Sequence, residues 1–522
     1  MNVLVLNLTR LGDLLQSQPT ITGLAAQGHR VGLVCLDNFA PAAALMRDVS
    51  EVFPLPGARL LARLDANWHS ALGVHRELVE AVRTQFAPDA VINLTPSEPA
   101  RLLAMNFQAP QTLGFALDEF GFNADTSLWA AFLQLAATSR GSSPFNVVDL
   151  FRRIGGQQGA PAGHGLRGAS DEEKQDARQR LLALLPTAPA RGFVALQLGA
   201  SEDRRRWPVE HFAEVARGLA QAGYAPVLVG TESEKPLAER LKALCGAPVA
   251  DLLGATNLRE LAATLSACGL IITNDTGTMH LAAGLNVPCL AIFLCTAQPW
   301  DTGPYLPGSI SLEPDQACHP CAFGADCGEG HSCRRAIKSA GVLALAADML
   351  AGGKADAVRV PGARVWRTVM GAEGLLDLES LSGHEAMDRT RFIRLQRRLY
   401  RPYLDGEESP VVAEPAGLSA ETTESLSRSL GEALTLLNLL ARQGELLARD
   451  PVPSVKTKFL ATWQRVRGSL EAQEQLALLA ALWTFEAERP GLDLTAILAL
   501  AGRFTVLLKG MHRCVVFGTE FA

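Results

Sequence analysis

The sequence predicts an α/β protein, with two Rossmann-like, doubly wound lobes facing a cleft and an all-α appendage at the C-terminal end. Three observations lead there. Apolar runs of strand length alternate with helical patterns in two separate series, and strict alternation implies right-handed βαβ units and a parallel sheet each time. Between the series, residues 157–168 (QQGAPAGHGLRG) are rich in Gly, Ala and Pro, as a linker is. After about residue 355 the strand pattern fades into helical spacing. The expected division is a first Rossmann-like acceptor lobe over 1–165, a second, donor-binding lobe over 166–355, and a mainly α-helical extension over 356–522.

The first series reads as strand 3–6, helix from about 12 to 26, strand 31–35, helix near 40–46 and strand 90–94. A helix over 171–185 leads into the second series. There the strands are 193–198, 225–229, 270–273 and 289–293, and helices are expected over 209–221, 234–245, 258–267 and 276–285. In the last third, Leu426, Leu430, Ala433, Leu437, Leu440 and Leu447 recur at three- and four-residue spacing, which is one face of a helix. Further helices are expected over 455–470, 472–486 and 494–509. Open α/β sheets bind ligands beyond the carboxyl ends of their strands, so function belongs to the cleft between the lobes.

At 522 residues the chain exceeds a single hydrophobic core, and its 48% hydrophobic and 20% charged content suffices to fill several. The net charge of −6 carries no basic excess of the kind a nucleic-acid partner demands. The opening MNVLVLNLTRLGD has no basic leader and no small-residue cleavage site, so a cytoplasmic location is expected. The apolar stretches 476–483 and 494–508, the latter interrupted by Arg503, fall short of the roughly 20 residues of a membrane span and read as buried helices.

Three segments combine chemistry with a place at a strand end. In Asn7-Leu8-Thr9-Arg10-Leu11-Gly12-Asp13, a glycine lets backbone approach a ligand and Asp13 can accept a proton from a hydroxyl, although the dipole of the helix alone would favour an acid there. In Gly199-Ala200-Ser201-Glu202-Asp203-Arg204-Arg205-Arg206-Trp207-Pro208, three arginines form either a diphosphate clamp or a solvated charge run. In Thr273-Asn274-Asp275-Thr276-Gly277-Thr278-Met279-His280, free N–H groups and hydroxyls gather at a helix start with a histidine on the first turn. That is an anion or sugar site unless the polar residues merely cap.

On these motifs, in this order, residues 1–352 resemble glycosyltransferase family 9, the ADP-heptose:lipopolysaccharide heptosyltransferases. The resemblance implies a GT-B fold and inverting, metal-independent transfer from a nucleotide-diphosphate-heptose held by the second lobe. It implies that Asp13 is the general base, with Thr9, Arg10 and Gly12 near the acceptor, and that Arg205 neutralises the diphosphate. Ser201, Glu234, Asp275, Thr276, Gly277, Thr278 and His280 would bind the donor, Glu234 at its ribose. Ala200 stands where such enzymes often carry a second hydroxyl, and Leu294 where a glycine is common; both bear on the donor sugar and base. The expected partners are ADP-heptose and a glycolipid or glycan of the lipopolysaccharide core. Another nucleotide sugar, a protein acceptor, or a non-catalytic scaffold with a partner-binding helical appendage are the alternatives.

Of ten cysteines, Cys318, Cys321, Cys327 and Cys333 lie within one short segment. Their density is compatible with a structural zinc outside catalysis, with His319 or His331 as substitute ligands; free thiols and disulfides are the other readings. A basic stretch, Arg389, Arg391, Arg394, Arg397, Arg398 and Arg401, reads either as a peripheral contact with the inner face of the inner membrane or, preferably, as a solvated helix face.

Overall fold

The computed structural model describes residues 1–137, 143–356, 358–407, 414–489 and 491–516. The chain divides into two compact units, one of Met1–Ala116 with Phe145–Ser382 and one of Leu117–Pro144 with Gly383–Ala522.

The first unit holds both lobes. Strands β1 (Asn2–Leu6), β2 (Arg30–Leu36), β3 (Val49–Leu55), β4 (Ala90–Asn93) and β5 (Gln111–Gly114) form one sheet in the order β3-β2-β1-β4-β5. All of its pairings are parallel. The central strands β1, β2 and β4 are near-continuous apolar runs because a parallel sheet is covered on both faces. Leu4, Leu6, Val34 and Val91 pack with Phe53, Phe86 and Phe107 in one core cluster. The helix expected over 12–26 is two helices, Leu11–Gln16 and Gln18–Ala26, separated at Ser17 just ahead of Pro19. A proline has no N–H to continue the ladder and is tolerated in the first turn of a new helix.

The second sheet has eight strands in the order β13-β12-β11-β10-β9-β6-β7-β8, with β6 (Gly192–Gln197), β7 (Tyr224–Val229), β8 (Ala250–Asp251), β9 (Cys268–Asn274), β10 (Cys289–Ile292), β11 (Ile310–Pro314), β12 (Ala363–Met370) and β13 (Leu376–Ser380). The pairings from β8 to β11 are parallel, and β12 and β13 add antiparallel to the edge. The expected boundary near 355 therefore falls inside this unit, since β12 and β13 belong to the second lobe's sheet. The segment 157–168 is not a free tether: the Leu166 N–H donates to the Gly284 carbonyl at 2.6 Å, and Arg152 donates to the Gly159 carbonyl at 2.5 Å. Behind it, the buried Asp149 carboxylate accepts from the Tyr305 hydroxyl and the Leu376 N–H, both at 2.8 Å.

The second unit is helical, built from Leu128–Ala136, Asp388–Asp405, Ala420–Arg449, Pro453–Glu471, Ala477–Ala487 and Leu494–Val516. The inclusion of 117–144 departs from the expected first lobe. The stripe Leu426, Leu430, Leu437, Leu440 is buried, and Trp483 and Phe504 meet edge to face at 5.0 Å between centroids. Leu494–Val516 is longer than expected, at 23 residues, and by length and composition alone is apolar enough to cross a membrane. Here it buries Leu500, Phe504, Leu507, Leu508 and Met511 along one face, and Arg503 donates to the buried Glu486 at 2.6 Å. In Asp388–Asp405, Arg394 pairs with Glu385, Arg398 with Glu414, and Arg401 with Asp405 and Glu407 at 3.2 Å each. These arginines serve the unit's own packing.

Candidate functional site

The site forms where β1, β6 and β9 end. Beyond β1, the buried Asn7 donates from Nδ2 to the Asp13 carbonyl at 3.1 Å and accepts at Oδ1 from the Thr9 N–H at 3.2 Å and from the Thr9 hydroxyl. This holds the turn that Arg10 leads into helix Leu11–Gln16, with Asp13 on its first turn. The turn depends on Asn7, whose residue type alone gave it no role in the sequence.

The lobes touch at this turn. A Cβ on Gly12 would lie 2.8 Å from His280 Cδ2 and 3.5 Å from Gly277 Cα, and one on Gly277 would lie 3.5 Å from Gly12 N. The missing side chain of Gly12 lets the helices Leu11–Gln16 and Gly277–Gly284 come this close, whereas a methyl on Gly277 would make ordinary contacts. Burial pushes the Asp13 carboxyl above the ordinary carboxylate range; the nearby Asp275 charge adds to the rise, and the backbone and charge of Arg10 oppose it. His280, on the same contact, is pushed down to about 4 by burial and is a neutral imidazole at pH 7.

Helix Gly277–Gly284 starts after Thr276 with no side-chain cap, so its first N–H groups, at Gly277 and Thr278, are left to other partners. The Thr276 hydroxyl is 3.4 Å from Gln197 Oε1, as is that of Thr273. Asn274 fastens this block to the arginine loop. Its amide donates to the carbonyls of Leu198 and Gly199 at 3.0 and 2.9 Å, and its oxygen accepts from the Trp207 N–H at 2.9 Å. Trp207 is fully buried and donates its indole N–H to the Ile337 carbonyl at 3.1 Å. Asn274 and Gln197 are thus positioning residues that local sequence did not single out; a buried polar residue at a strand end was the available signal.

The three arginines part company. Arg205 forms an ion pair with Asp275, and its Nη1 donates to Ser201 Oγ at 3.1 Å. Arg204 donates to Glu202 at 2.6 Å and to the Ala325 carbonyl at 3.2 Å, and Arg206 pairs with Asp203 at 3.2 Å. Arg205 alone joins the Asp275–Thr276–Gly277 block, so the expectation of a three-arginine clamp narrows to one guanidinium.

Glu234 lies beside the same strand ends. Its carboxylate accepts from the Thr231 N–H at 3.0 Å and from Gln197 Nε2 at 3.3 Å. It occupies space that exists because residues 199 and 230 are glycines, as a Cβ on either would collide with it. Gly230 also has φ +153°, which glycine adopts most readily. Burial raises the Glu234 pKa, against the pull of Arg206.

A structural zinc, one of three readings of the cysteine loop, is not shown by the structure. Among the described residues no group of three or more His, Cys, Asp or Glu side chains is arranged to hold a metal ion. Cys318 is exposed, Cys327 Sγ accepts from the His331 N–H at 3.3 Å, and His319 turns inward, 3.0 Å from the buried Glu313. Cys333 instead faces Cys295, with 3.9 Å between sulfurs. That contact holds the Cys333 thiol down to about 7 and raises Cys295. Cys295 Sγ also lies 2.9 Å from the Arg204 carbonyl, so the loop buttresses the arginine turn.

The glycosyltransferase family 9 (heptosyltransferase) model matches residues 119–329. Over this segment the chain is similar to glycosyltransferase family 9. A lipooligosaccharide heptosyltransferase 2 of Haemophilus influenzae is 32% identical over 120 residues, 22% of this chain and 34% of that protein. A lipopolysaccharide heptosyltransferase 2 of Escherichia coli is 37% identical over 93 residues, 17% of this chain and 27% of that one. The chain thus spans about a third or less of the length of these relatives. The solved structure of E. coli ADP-heptose LPS heptosyltransferase II has the same fold, with a TM-score of 0.51 and 21% identity, covering 67% of this chain and 99% of that chain. The α/β unit is a GT-B fold.

Proposed function

We propose that the chain is an inverting, metal-independent glycosyltransferase that moves a heptose from ADP-heptose to a hydroxyl of a lipopolysaccharide core or related surface glycan. The meeting of the lobes at Gly12 and Gly277 carries this reading, because Asp13 of one lobe then lies within the electrostatic reach of Asp275 in the other. A base, a guanidinium and an uncapped helix start come together at one place. Asp13 takes the proton of the acceptor hydroxyl as its oxygen attacks the anomeric carbon on the face opposite the diphosphate. The anomeric C–O bond breaks, and its electron pair leaves with the phosphate oxygen. Arg205 and the N–H groups of Gly277 and Thr278 meet the charge that develops there.

A base whose pKa lies above the ordinary carboxylate range accepts a proton more readily than an exposed aspartate, which favours the reading. Ser201 and Thr276 are assigned to the phosphates, His280 to phosphate or sugar, and Glu234 to the ribose hydroxyls. Arg205 supplies the positive charge that a divalent cation supplies elsewhere. The cysteine loop is given a structural role outside catalysis, with Cys321 within electrostatic reach of Cys318, Cys327 and Cys333. The heptose donor rests on the names of the relatives from Haemophilus influenzae and E. coli.

The test incubates the purified chain with ADP-heptose and heptose-deficient lipopolysaccharide and follows ADP release and the gain of one heptose by mass. Thermal shift fixes the nucleotide: a ligand at a hundred times its dissociation constant stabilises its domain by roughly 2.7 kcal/mol. A shift with ADP and none with UDP or GDP is expected. A shift with UDP or GDP alone moves the donor class, and release of nucleotide from no sugar donor in the presence of glycan acceptors refutes transfer.

A further inference from the structure

The contact between the lobes encloses a polar side chain that the transfer chemistry does not use. Gln16 ends the helix Leu11–Gln16, four residues after Gly12, so both stand on the helix face that meets Gly277–Gly284. The glutamine is 4% exposed, and neither its amide oxygen nor its amide nitrogen has a hydrogen-bond partner in the protein. A buried polar group left without a partner costs about 1–3 kcal/mol, so such groups ordinarily meet another side chain or an ordered water.

Beside it lies a cavity of about 20 Å³ whose polar lining is Gln16, His164, His280 and Tyr305, the rest being apolar side chains and Gly284. A water molecule needs roughly 10–15 Å³ of such space, so one water fits and a phosphate or sugar does not. Two of the four polar groups are engaged elsewhere: His164 Nε2 lies 3.2 Å from Asn286 Oδ1, and the Tyr305 hydroxyl donates to Asp149 at 2.8 Å. There remain the Gln16 amide and the His280 ring, which makes no hydrogen bond among the described residues. A Cβ on Gly12 would lie 2.8 Å from His280 Cδ2 and 3.6 Å from Nε2, so the Cδ2–Nε2 edge of the ring is the one turned to the helix of Gln16. A neutral imidazole carries its proton on one nitrogen only, and the hydrogen bond made by the other decides which. Burial keeps this ring neutral at pH 7, and an amide, with a donor and an acceptor, is equipped to fix it through one water.

We propose that Gln16 is a positioning residue that holds His280, through one buried water between its amide and Nε2, in a single tautomer and ring orientation. The inference rests on the transferase reading only in giving His280 a contact with the donor; a ring fixed in this way presents the same atom to the donor's phosphate or sugar at every encounter. It also couples the two lobes, since Gln16 follows Asp13 on one helix and His280 follows Thr276 and Gly277 on the other.

The experiment uses the full chain with nitrogen-15 in its histidines, and the variant Gln16→Met, which keeps an unbranched side chain of similar volume and removes its hydrogen bonds. Proton–nitrogen spectra of the imidazoles at pH 7, with His280 assigned by the signal lost in His280→Gln, should show one tautomer in the wild type and a mixture of two in Gln16→Met. The dissociation constant of ADP should rise about two- to tenfold in Gln16→Met, the worth of one net hydrogen bond, and the same substitution made in the His280→Gln background should change it little. A crystal structure of the wild type should hold a water within hydrogen-bond distance of both Gln16 and His280 Nε2. The spectra and the crystal contain no nucleotide and no acceptor, so a failed transfer assay leaves their reading of Gln16 unchanged. A mixture of tautomers already in the wild type, the same single tautomer in Gln16→Met, equal losses of ADP affinity in both backgrounds, or a wild-type crystal with no water between the two side chains overturns the proposal.

Discussion

Gly12→Ala is expected to damage turnover more than it damages the fold. The added methyl would lie 2.8 Å from His280 Cδ2, well inside the 3.4 Å at which ordinary contact begins, with Gly277 Cα at 3.5 Å on the other side. Either the imidazole swings away or the helix carrying Asp13 moves by roughly half an ångström, because overfilled contacts relax by small shifts costing about 1–3 kcal/mol. A displacement of that size at a reacting group costs on the order of tenfold to a hundredfold in rate, given that about 1 Å can cost a hundredfold. The assay is steady-state transfer with saturating donor, read together with the thermal midpoint and the nucleotide dissociation constant. The turnover number should fall by more than nucleotide affinity does, since the clash meets His280 but spares the Arg205–Ser201 turn. Wild-type turnover in a folded Gly12→Ala protein would mean that the lobes do not react across this contact.

Asp13→Asn should abolish transfer and leave nucleotide binding intact. Because the folded-state pKa of Asp13 lies above the ordinary 3.8, ionised Asp13 lowers stability at neutral pH, so the Asn variant should have the higher thermal midpoint there, an advantage that vanishes below 3.8; a lower midpoint at pH 7 contradicts the burial argument. For the same reason the acid limb of the rate profile should lie above the usual carboxylate range, and a limb at 3.8 or below removes Asp13 as the base. Arg205→Ala should weaken nucleotide-diphosphate binding by about 1.5–3 kcal/mol, with Arg204→Ala and Arg206→Ala well below that, and equal losses at all three would restore the shared clamp. Transfer should survive EDTA; loss of activity restored by magnesium or manganese refutes the metal-independent scheme.

Much of this molecule was readable in one dimension. Strands such as β1, β6 and β9 announce themselves as apolar runs, and the loops that follow them carry Asp13, Arg205 and Asp275 because parallel strands all deliver their carboxyl ends to the same edge. A local pattern and a topological rule together were enough to collect those residues. The short strands β5 and β11, and the helix pair 57–81 with its exposed leucines, were passed over, the last because an amphipathic stripe does not say whether protein or solvent covers it.

Other features depend on residues far apart in the chain. The sequence by itself determined that two α/β lobes exist, where their strand-end loops lie, and which residue types those loops offer. Only the tertiary structure decided that Arg205 and not Arg204 or Arg206 turns to Asp275, because three adjacent side chains differ in direction by backbone dihedrals no composition encodes. It alone decided that Cys333 pairs off with Cys295 from another loop, leaving Cys318 exposed, and that β12 and β13 extend the second lobe's sheet while 117–144 joins the C-terminal helices. Propensity and periodicity are set by neighbours within a few residues, whereas these choices are set by which surfaces bury one another once the chain has closed on itself.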